Sequence, residues 1–326
     1  MTRLRVAVSV VLAGVLLSGC AVEGLAVPVG SSYRASLGPD HERAIALQSN
    51  RDHARRLDPC AMVDEAAVIA AVGTPRHFGA HNEPDECELR FDRNTAIGGV
   101  GSLTVSLTVV EDGSGKRFQV GDRTAHTLDS GNLCHISLTY DDMRSFFYSI
   151  SGREDADLCG QLRQIVTASA PLLDRAPKRS ESMRMPATKA WTLDPCAALS
   201  SAYDPGQEIT VNGIDPFECD FRLGYEHRPD ELNRFHISFF HYSEGSANHP
   251  QPHVRRLQIV GVDATEHTGE NDYCIIEINV GADNPFPVVN YDGQPEQWIE
   301  AMKVSGHGCT ETRRIAVAAV KDYQKQ

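Results

Sequence analysis

The chain has 326 residues and a formal net charge of −13, with 31 Lys and Arg against 44 Asp and Glu. Apolar side chains make up 41 % of it and charged ones 23 %, which excludes a wholly disordered or collagen-like chain and allows two domains of ordinary size. The negative charge argues against a protein built to bind nucleic acid, because phosphates would be repelled over most of its surface.

The N-terminus has the pattern of an export signal. Arg3 and Arg5 form a short basic start, and the twelve residues 6–17 are almost wholly apolar. As a helix they would span about 18 Å, short of the roughly 30 Å hydrocarbon core of a bilayer. Residues 1–19 are therefore predicted to be a signal peptide rather than a membrane span.

The signal ends in Leu17-Ser18-Gly19-Cys20, which resembles the bacterial lipobox. By this resemblance the Cys20 thiol carries the lipid and Cys20 becomes the first mature residue, with stable anchoring from two or more acyl chains. The alternative is an ordinary secretory signal with a chance cysteine. Residues 20–51 show no sustained apolar period and are predicted to be a tether on the extracytoplasmic face of the cell membrane.

The next segment predicts the start of a helix at Leu57-Asp58-Pro59-Cys60-Ala61. Asp58 suits the N-cap and Pro59 the first helical position, where a missing N–H costs nothing. An apolar stripe follows, made of Met62, Val63, Ala66, Ile69, Ala70 and Val72. A reactive Cys60 thiolate is the functional alternative, since a helix N-terminus lowers a thiol pKa, but an exported chain favours a disulfide.

An acidic run follows this helix. It comprises His81, Glu83, Asp85, Glu86 and Glu88. The simplest interpretation is the charged mouth of a hairpin. A calcium site is the alternative, although the Asp-x-Asn-x-Asp-Gly order of calcium loops is missing.

Apolar side chains alternate with period two in several segments, which predicts half-buried strands. The clearest examples are Leu103 to Val109 and Phe235 to Phe239, and further strands are predicted at 134–138, 146–148, 274–278 and 288–291. Helical spacing predicts a closing helix in each half, from Leu158, Leu162, Ile165, Val166 and Ala170 and from Ile315, Ala318 and Ala319. Each half thus predicts an α+β fold, with four or five strands in one antiparallel sheet and both helices on one face.

The two halves repeat one another. Leu57-Asp58-Pro59-Cys60-Ala61 returns without change at 193–197, and four cysteines follow in each half in the same order. We predict two homologous domains, 52–175 and 188–326, joined by a linker at 176–187. The repeat also sets His126 opposite His267, with one residue inserted, and a shared role for them is the alternative to plain duplication.

Without Cys20, eight cysteines remain, an even number that predicts a disulfide set in an oxidising compartment. Pairs close in sequence would tie a helix to a strand, which predicts Cys60–Cys87, Cys134–Cys159, Cys196–Cys219 and Cys274–Cys309. The alternative is a nested pattern, in which the first cysteine of each half bonds the fourth and the second bonds the third.

No catalytic residue, metal site or cofactor is predicted, because the chain carries no hydrolase elbow, nucleotide loop or zinc-protease signature. The densest histidine group is His241, His249 and His253, which with Glu244 would suit a divalent metal. Pro250 and Pro252 rule out the helical spacing that would fix such ligands, so a solvated loop is the simpler interpretation.

Together, the Asp-Pro-Cys helix starts, the cysteines that follow, the 121–125 stretch Gly-Asp-Arg-Thr-Ala and the closing cysteine helices resemble a known family. It comprises actinobacterial envelope lipoproteins of unknown function whose domains begin with Asp-Pro-Cys. The resemblance covers both halves but not the tether, and the second half departs from it at Gly261-Val262-Asp263. It implies export, lipid anchoring and disulfides, with no established catalytic residue to carry over.

We therefore expect a non-catalytic binding or interaction lipoprotein, anchored in the cell membrane through Cys20. Its partner would be an unknown envelope protein or a small ligand, and not nucleic acid. The alternative is an envelope hydrolase or metal-dependent enzyme that uses the loop of His241, His249 and His253.

Overall fold

The computed structural model describes residues 50–109, 115–141, 144–204, 207, 209–212, 215–224, 233–244 and 254–325. The predicted signal peptide, Cys20, most of the predicted tether, His249 and His253 lie outside these residues. The described chain is α+β and contains two antiparallel sheets, which confirms the predicted class.

The first sheet has seven strands in the order β1-β2-β3-β7-β6-β5-β4. Its strands are β1 (His77–Ala80), β2 (Glu86–Arg90), β3 (Ser102–Val109), β4 (Lys116–Val120), β5 (Arg123–Asp129), β6 (Leu133–Thr139) and β7 (Arg144–Ser151). The side chains of Leu103, Val105 and Leu107 are buried, as their alternation predicted.

The second sheet has eight strands, and seven of them follow the order β11-β12-β13-β15-β10-β9-β8. Its strands are β8 (Ile209–Asn212), β9 (Glu218–Leu223), β10 (Arg234–Ser243), β11 (Val254–Ile259), β12 (Val262–Thr268), β13 (Tyr273–Ile278), β14 (Phe286–Val289) and β15 (Pro295–His307). Read from opposite ends, the two orders correspond strand by strand, and β14, which pairs with β15, has no counterpart in the first sheet.

The prediction of four or five strands in each half was wrong. Edge strands such as β4 bury few side chains, so they lack the apolar alternation by which a strand is recognised in a sequence. Lys116 and Arg117 on β4, like Arg255 and Arg256 on β11, are exposed cations of the kind that keep sheet edges from pairing with other chains.

The single opening helix predicted from Asp58 is also wrong. Asp58 caps only a 3₁₀ turn at Cys60–Met62, where its Oδ1 accepts the Cys60 N–H at 2.9 Å. Val63 is extended, and a separate helix α2 (Glu65–Ala71) begins after its own N-cap, Asp64. The described chain begins in an earlier helical segment, residues 50–55, here α1.

This break changes which side chains α2 buries. Val68 and Ala71 face the core, whereas Ile69 of the predicted stripe is 44 % exposed. The apolar residues before and after the break belong to different helical phases, so no single stripe runs through them. The second half repeats the arrangement, with a 3₁₀ turn at Pro195–Ala198 and a one-turn helix α4 (Leu199–Ala202).

The closing helices form where the sequence predicted them. They are α3 (Leu158–Leu173), which packs on β6 and β7, and α5 (Cys309–Gln324), which packs on β13 and β15. All of the predicted apolar positions of both helices are buried. Among the described helices, none combines the length and the hydrophobicity that a membrane span requires.

The eight described cysteines form four disulfides in the predicted pairs, and not in the nested pattern. These are Cys60–Cys87, Cys134–Cys159, Cys196–Cys219 and Cys274–Cys309, with Cα atoms 5.0–5.4 Å apart. In each half the first bridge joins the 3₁₀ turn to the second strand. The second bridge joins an inner strand to the closing helix.

The expected match between His126 and His267 is wrong. Asp129 lies opposite Cys134 and Thr268 lies opposite Cys274, so Asp129 and Thr268 occupy equivalent positions in the two halves. Counting back three residues from each, His126 is equivalent to Thr265 and not to His267. The predicted insertion is absent, because each hairpin turn has two residues, at 121–122 and at 260–261. The aligned edge strands then read Lys-Arg-Phe-Gln-Val at 116–120 and Arg-Arg-Leu-Gln-Ile at 255–259.

The second of these turns carries backbone strain. Val260 and Gly261 have φ angles of +52° and +80°, the pattern of a type I′ turn. A β-branched side chain rarely adopts a positive φ, whereas Asn-Gly is the favoured sequence for this turn.

We expect Val260→Asn to stabilise the protein by about 1 kcal/mol, because an L residue in the left-handed region costs roughly 1–2 kcal/mol and asparagine tolerates it best. Thermal unfolding would then shift upward by about 2–4 °C. The control is Val254→Asn at the start of β11, where no such relief is available; equal shifts for both variants would contradict the assignment of strain.

Candidate functional site

The two sheets meet at a buried interface, and all of the described residues belong to one compact unit. Phe286 and Val288 of β14, together with Trp298 of β15, join the hydrophobic core of the first half. β14 is the strand without a counterpart in the first sheet, and it lies against β1. The extra strand of the second half therefore serves to attach it to the first.

Two charged residues of β2 complete this contact. Arg90 donates from Nη1 to the carbonyl of Val289 at 2.5 Å, and its guanidinium lies 4.2 Å from the ring centre of Tyr291. The Tyr291 hydroxyl donates to Oε1 of Glu88 at 2.7 Å, while Arg90 Nε donates to Oε2 at 2.6 Å. Burial and this carboxylate raise the pKa of Tyr291 to about 12. The Glu88 carboxylate thus has partners on both sides of the interface.

His77 of β1 is a neutral imidazole that links β1 to β14. Its Nε2 donates to the carbonyl of Ala80 at 3.1 Å, and its Nδ1 accepts the Val289 N–H at 3.4 Å. Burial lowers the pKa of His77, which keeps Nδ1 available as an acceptor. This histidine therefore has a structural role.

His241, the first residue of the predicted metal-binding loop, is only 1 % exposed and lies within β10. Its ring donates from Nδ1 to the carbonyl of His81 at 2.9 Å and packs edge-on against Phe286. Burial and the nearby Arg179 lower the pKa of His241 to about 3. The expectation of a solvated loop was wrong for this residue, because β10 extends further than the sequence indicated and turns His241 inward.

A second set of contacts comes from the predicted tether. Arg51 is 2 % exposed and lies in the helical segment α1. It donates from Nε to the carbonyl of Asp215 at 2.9 Å and from Nη2 to that of Glu218 at 2.5 Å, with the Asp194 carboxylate 3.6 Å away. Arg55 donates to the carbonyl of Pro216 at 3.0 Å. The segment before the first half thus binds the second half, so the predicted tether ends too late.

The predicted linker, which precedes the second half, binds the first half. Arg179 is 4 % exposed, and its Nη1 donates to the carbonyl of Pro84 in the first half. Pro84 and Pro216 occupy the same position, three residues before a disulfide cysteine. Arg55, from the segment before the first half, thus binds the Pro216 carbonyl of the second half. Arg179, from the segment before the second half, binds the Pro84 carbonyl of the first half. We call Arg55 and Arg179 the crossed arginines.

The two arginine-bearing segments also pair with each other. Leu57 and Lys178 form an antiparallel bridge, the Asp58 N–H donates to Pro177 at 2.9 Å and the Arg179 N–H donates to Arg56 at 2.7 Å. The 176–187 segment is therefore held in place and does not act as a free linker.

The acidic run lies where the sequence placed it, at the turn between β1 and β2, and this turn faces the second half. His81 bonds Glu86, and although burial acts in the opposite direction, this carboxylate raises the pKa of His81. Glu83 and Asp85 lie near Asp215 and Glu218, which are carboxylates of the second half. The described side chains show no calcium-loop arrangement here, because the run divides between a turn and the start of β2.

Among the described residues, one group brings three possible metal-ligand atoms within 4.8 Å of each other, namely Glu266, Cys274 and Cys309. The two sulfurs are bonded to each other, and Arg313 donates to both oxygens of Glu266 at 2.5 and 2.6 Å. Every ligand atom of this group already has a structural partner.

The outer face of the first sheet carries rows of hydroxyl side chains on its central strands, which the sequence motifs did not single out. On β3, β7, β6 and β5 it carries no Asp, Glu, Lys or Arg. We call it the hydroxyl face, formed by Ser102, Thr104, Ser106, Thr108, Ser149, Ser151, Ser137, Thr139 and Thr124 with Phe147, His135, His126, Leu128 and Leu133. The corresponding strands of the second sheet carry Arg234, Lys303, Glu277 and Asp263.

In the sequence of these strands, hydroxyl residues alternate with the apolar residues that become buried. This alternation is the signal from which the face could have been predicted. The ring of Phe147 stacks on His135 with centres 4.9 Å apart, and the hydroxyls of Ser102 and Ser151 are 2.9 Å apart. Each hydroxyl both donates and accepts, so the face presents hydrogen-bonding groups without net charge.

In comparisons with protein-family models, curated proteins and solved structures, no match to this chain was found.

We expect Arg51→Met to destabilise the protein by about 3 kcal/mol, because the carbonyls of Asp215 and Glu218 lose a buried charged donor and the Asp194 carboxylate loses one of its two nearby arginines. Chemical denaturation would measure the loss as a lower midpoint. Arg76→Met is the matched control, since Arg76 pairs with Asp92 while 47 % of its side chain is exposed, and we expect its loss to stay below about 1 kcal/mol. Equal losses would show that Arg51 does not fasten the two halves.

Proposed function

We propose that this protein is an exported, lipid-anchored lipoprotein of the cell envelope, and that it binds a partner through the hydroxyl face without catalysis. The observation that carries the proposal is the contrast between this face, which has no charged side chain on β3, β5, β6 and β7, and the buried carboxylates, which have partners within the fold. His77, His241, Glu88 and Glu300 all bond groups within the fold, and Glu300 accepts the N–H groups of Lys189 and Ala190.

The sheet and helices behind the hydroxyl face are stabilised by covalent cross-links. Disulfides tie the opening turns and closing helices to the sheets, and closing each loop stabilises the fold by about 3 kcal/mol in the chain-entropy model. A sheet of this kind keeps its side chains at fixed spacings, which suits recognition of a partner by many weak hydrogen bonds. We infer that the partner is an envelope protein or a small ligand.

We also propose that the halves arose by duplication and that both helices of each half lie on the inner face of its sheet. The corresponding strand orders, the repeated disulfides and the aligned edge strands at 116–120 and 255–259 support this. The resemblance to actinobacterial lipoproteins with Asp-Pro-Cys domains is consistent with it. The outer positions of the central strands differ between the halves, with hydroxyls in the first and several charged side chains in the second.

Anchoring is tested with Cys20→Ala, which removes the thiol that would carry the lipid. We expect most of the full-length protein to leave the membrane fraction, because stable anchoring depends on the acyl chains. Ser18→Ala keeps the cysteine and serves as the control. If Cys20→Ala protein stays with the membranes after a high-salt wash, the lipid anchor is wrong.

The binding face is tested by photocrosslinking in intact cells, with benzoylphenylalanine in place of Phe147. The control carries the same group at Phe240, a half-buried aromatic residue on the outer face of the second sheet. We expect a discrete adduct from position 147 alone, as a shifted band on a denaturing gel. Adducts of equal yield from both positions, or from neither, would refute binding at the hydroxyl face.

A further inference from the structure

Corresponding edges of the two sheets carry cations around one position that differs between the halves. In the second half, Arg255 of β11 lies opposite Glu266 of β12. In the first half, the same register sets Lys116 of β4 opposite Thr127 of β5. The pairing with the next strand agrees, because both positions lie opposite the residue two places after a disulfide cysteine. Thr127 therefore stands where the second half has Glu266.

The closing helices place an arginine beside both positions. Arg163 of α3 and Arg313 of α5 each follow the cysteine of their helix by four residues. Six buried positions of α3 recur in α5 at the same distances from that cysteine, so the two arginines occupy equivalent places on their helices. Each half thus has two cations at this edge, one from the edge strand and one from the closing helix.

In the second half these cations hold a carboxylate. Arg313 donates from Nε and Nη2 to the two oxygens of Glu266 at 2.5 and 2.6 Å. Arg255 Nε lies 3.6 Å from Oε1 of the same side chain. Glu266 is only 5 % exposed, so the guanidinium binds both oxygens of a largely buried group. This edge of the second half therefore supplies its own anion.

The first half keeps the cations and lacks the carboxylate. Among the described residues, Lys116 and Arg163 form no ion pair, and both side chains are exposed. The Arg163 guanidinium lies 4.7 Å from the ring centre of Phe118, a contact that gives its N–H groups no acceptor oxygen.

The Thr127 hydroxyl points to the same conclusion. Its oxygen is buried and has no hydrogen-bond partner in the described part of the chain. Buried polar atoms are nearly always paired, so an unpaired one indicates a partner from outside. Threonine is also shorter than glutamate by the carboxylate group itself, which is the group that Arg313 binds in the second half.

We propose that the first half binds a carboxylate from outside the chain between Lys116, Thr127 and Arg163, a site that we call the carboxylate cradle. The Arg163 fork binds both oxygens of the ligand, as Arg313 binds those of Glu266. Lys116 adds a second positive charge, and the Thr127 hydroxyl donates to the nearer oxygen. The ligand is a small organic acid or the carboxyl terminus of a peptide, because only a terminal carboxylate can approach a buried hydroxyl.

The cradle is separate from the hydroxyl face. Lys116 and Thr127 lie on the inner side of β4 and β5, which they share with the buried residues Val120 and Ala125. The hydroxyl face is formed by the alternate residues of β5, on the outer side. Binding at the cradle is therefore independent of any partner of the hydroxyl face, and the two proposals can fail separately.

The test is saturation-transfer NMR on the full-length protein with sodium acetate, at an ionic strength held constant with sodium chloride. We expect a saturable signal with a dissociation constant in roughly the millimolar range, as suits exposed cations. Acetamide, which has a similar shape and no charge, should give no saturable signal. Arg163→Gln should weaken acetate binding by about five-fold or more. Arg175→Gln, which changes an exposed arginine beyond the other end of α3, should leave it unchanged.

Thr127→Glu gives the first half the carboxylate that the second half has. We expect this variant to lose acetate binding and to melt no lower than the parent, because its own side chain fills the cradle. In the Arg163→Gln background the same substitution should lower the melting temperature, since it buries a carboxylate without its arginine. An equal drop in both backgrounds would contradict the proposal, because it would show that Arg163 does not face this position.

Two further arms identify the source of the carboxylate. N-acetylglycine represents the end of a peptide, so tighter binding than that of acetate would assign a peptide terminus, and equal or weaker binding a free organic acid. The variant Glu111→Gln, Asp112→Asn removes two carboxylates that precede β4 outside the described residues. Acetate binding in this variant alone would show that the chain fills the cradle itself and would overturn the proposal. Absence of binding in both this variant and the parent, or equal binding by the parent and Arg163→Gln, would overturn it as well.

Discussion

The crossed arginines are the constraint on which the arrangement of the two halves depends. A buried guanidinium is costly unless its donors find acceptors, and the turns before β2 and β9 supply backbone carbonyls to Arg55 and to one nitrogen of Arg179. Since the arginine of each connecting segment binds the other half, neither half offers a complete set of acceptors and donors alone. The segments at both ends of the first half are consequently fixed in the interface.

Apolar packing is a second contact between the halves. It also accounts for β14, the one strand of the second half that has no counterpart in the first. β14 brings Phe286 and Val288 into the core of the first half, where burying such side chains contributes about 1.5–3 kcal/mol each. The polar groups around it, Glu88, Arg90 and Tyr291, satisfy one another across the contact. His77, His241 and Glu88 all lie in contacts between the two halves.

The two sheets also show how one topology can support different surfaces. Inner positions of corresponding strands are apolar in both halves, since they must pack against the closing helices. Outer positions are free of that requirement, and on the central strands they carry hydroxyls in the first sheet and several charges in the second.

Local patterns determined a large part of this protein. Even cysteine number, helical spacing and period-two alternation predicted the disulfides, α3, α5 and the central strands, because each depends on residues near one another in the chain. The local predictions were wrong at positions whose conformation depends on contacts with a distant segment. Val63 breaks the expected helix, His241 turns inward against Phe286, and Arg51 and Arg179 are buried although they lie in polar connecting segments. Their positions depend on carbonyls and rings far away in the chain, such as the Pro84 carbonyl 95 residues from Arg179, or on packing that no local period records, so only the tertiary structure could assign them.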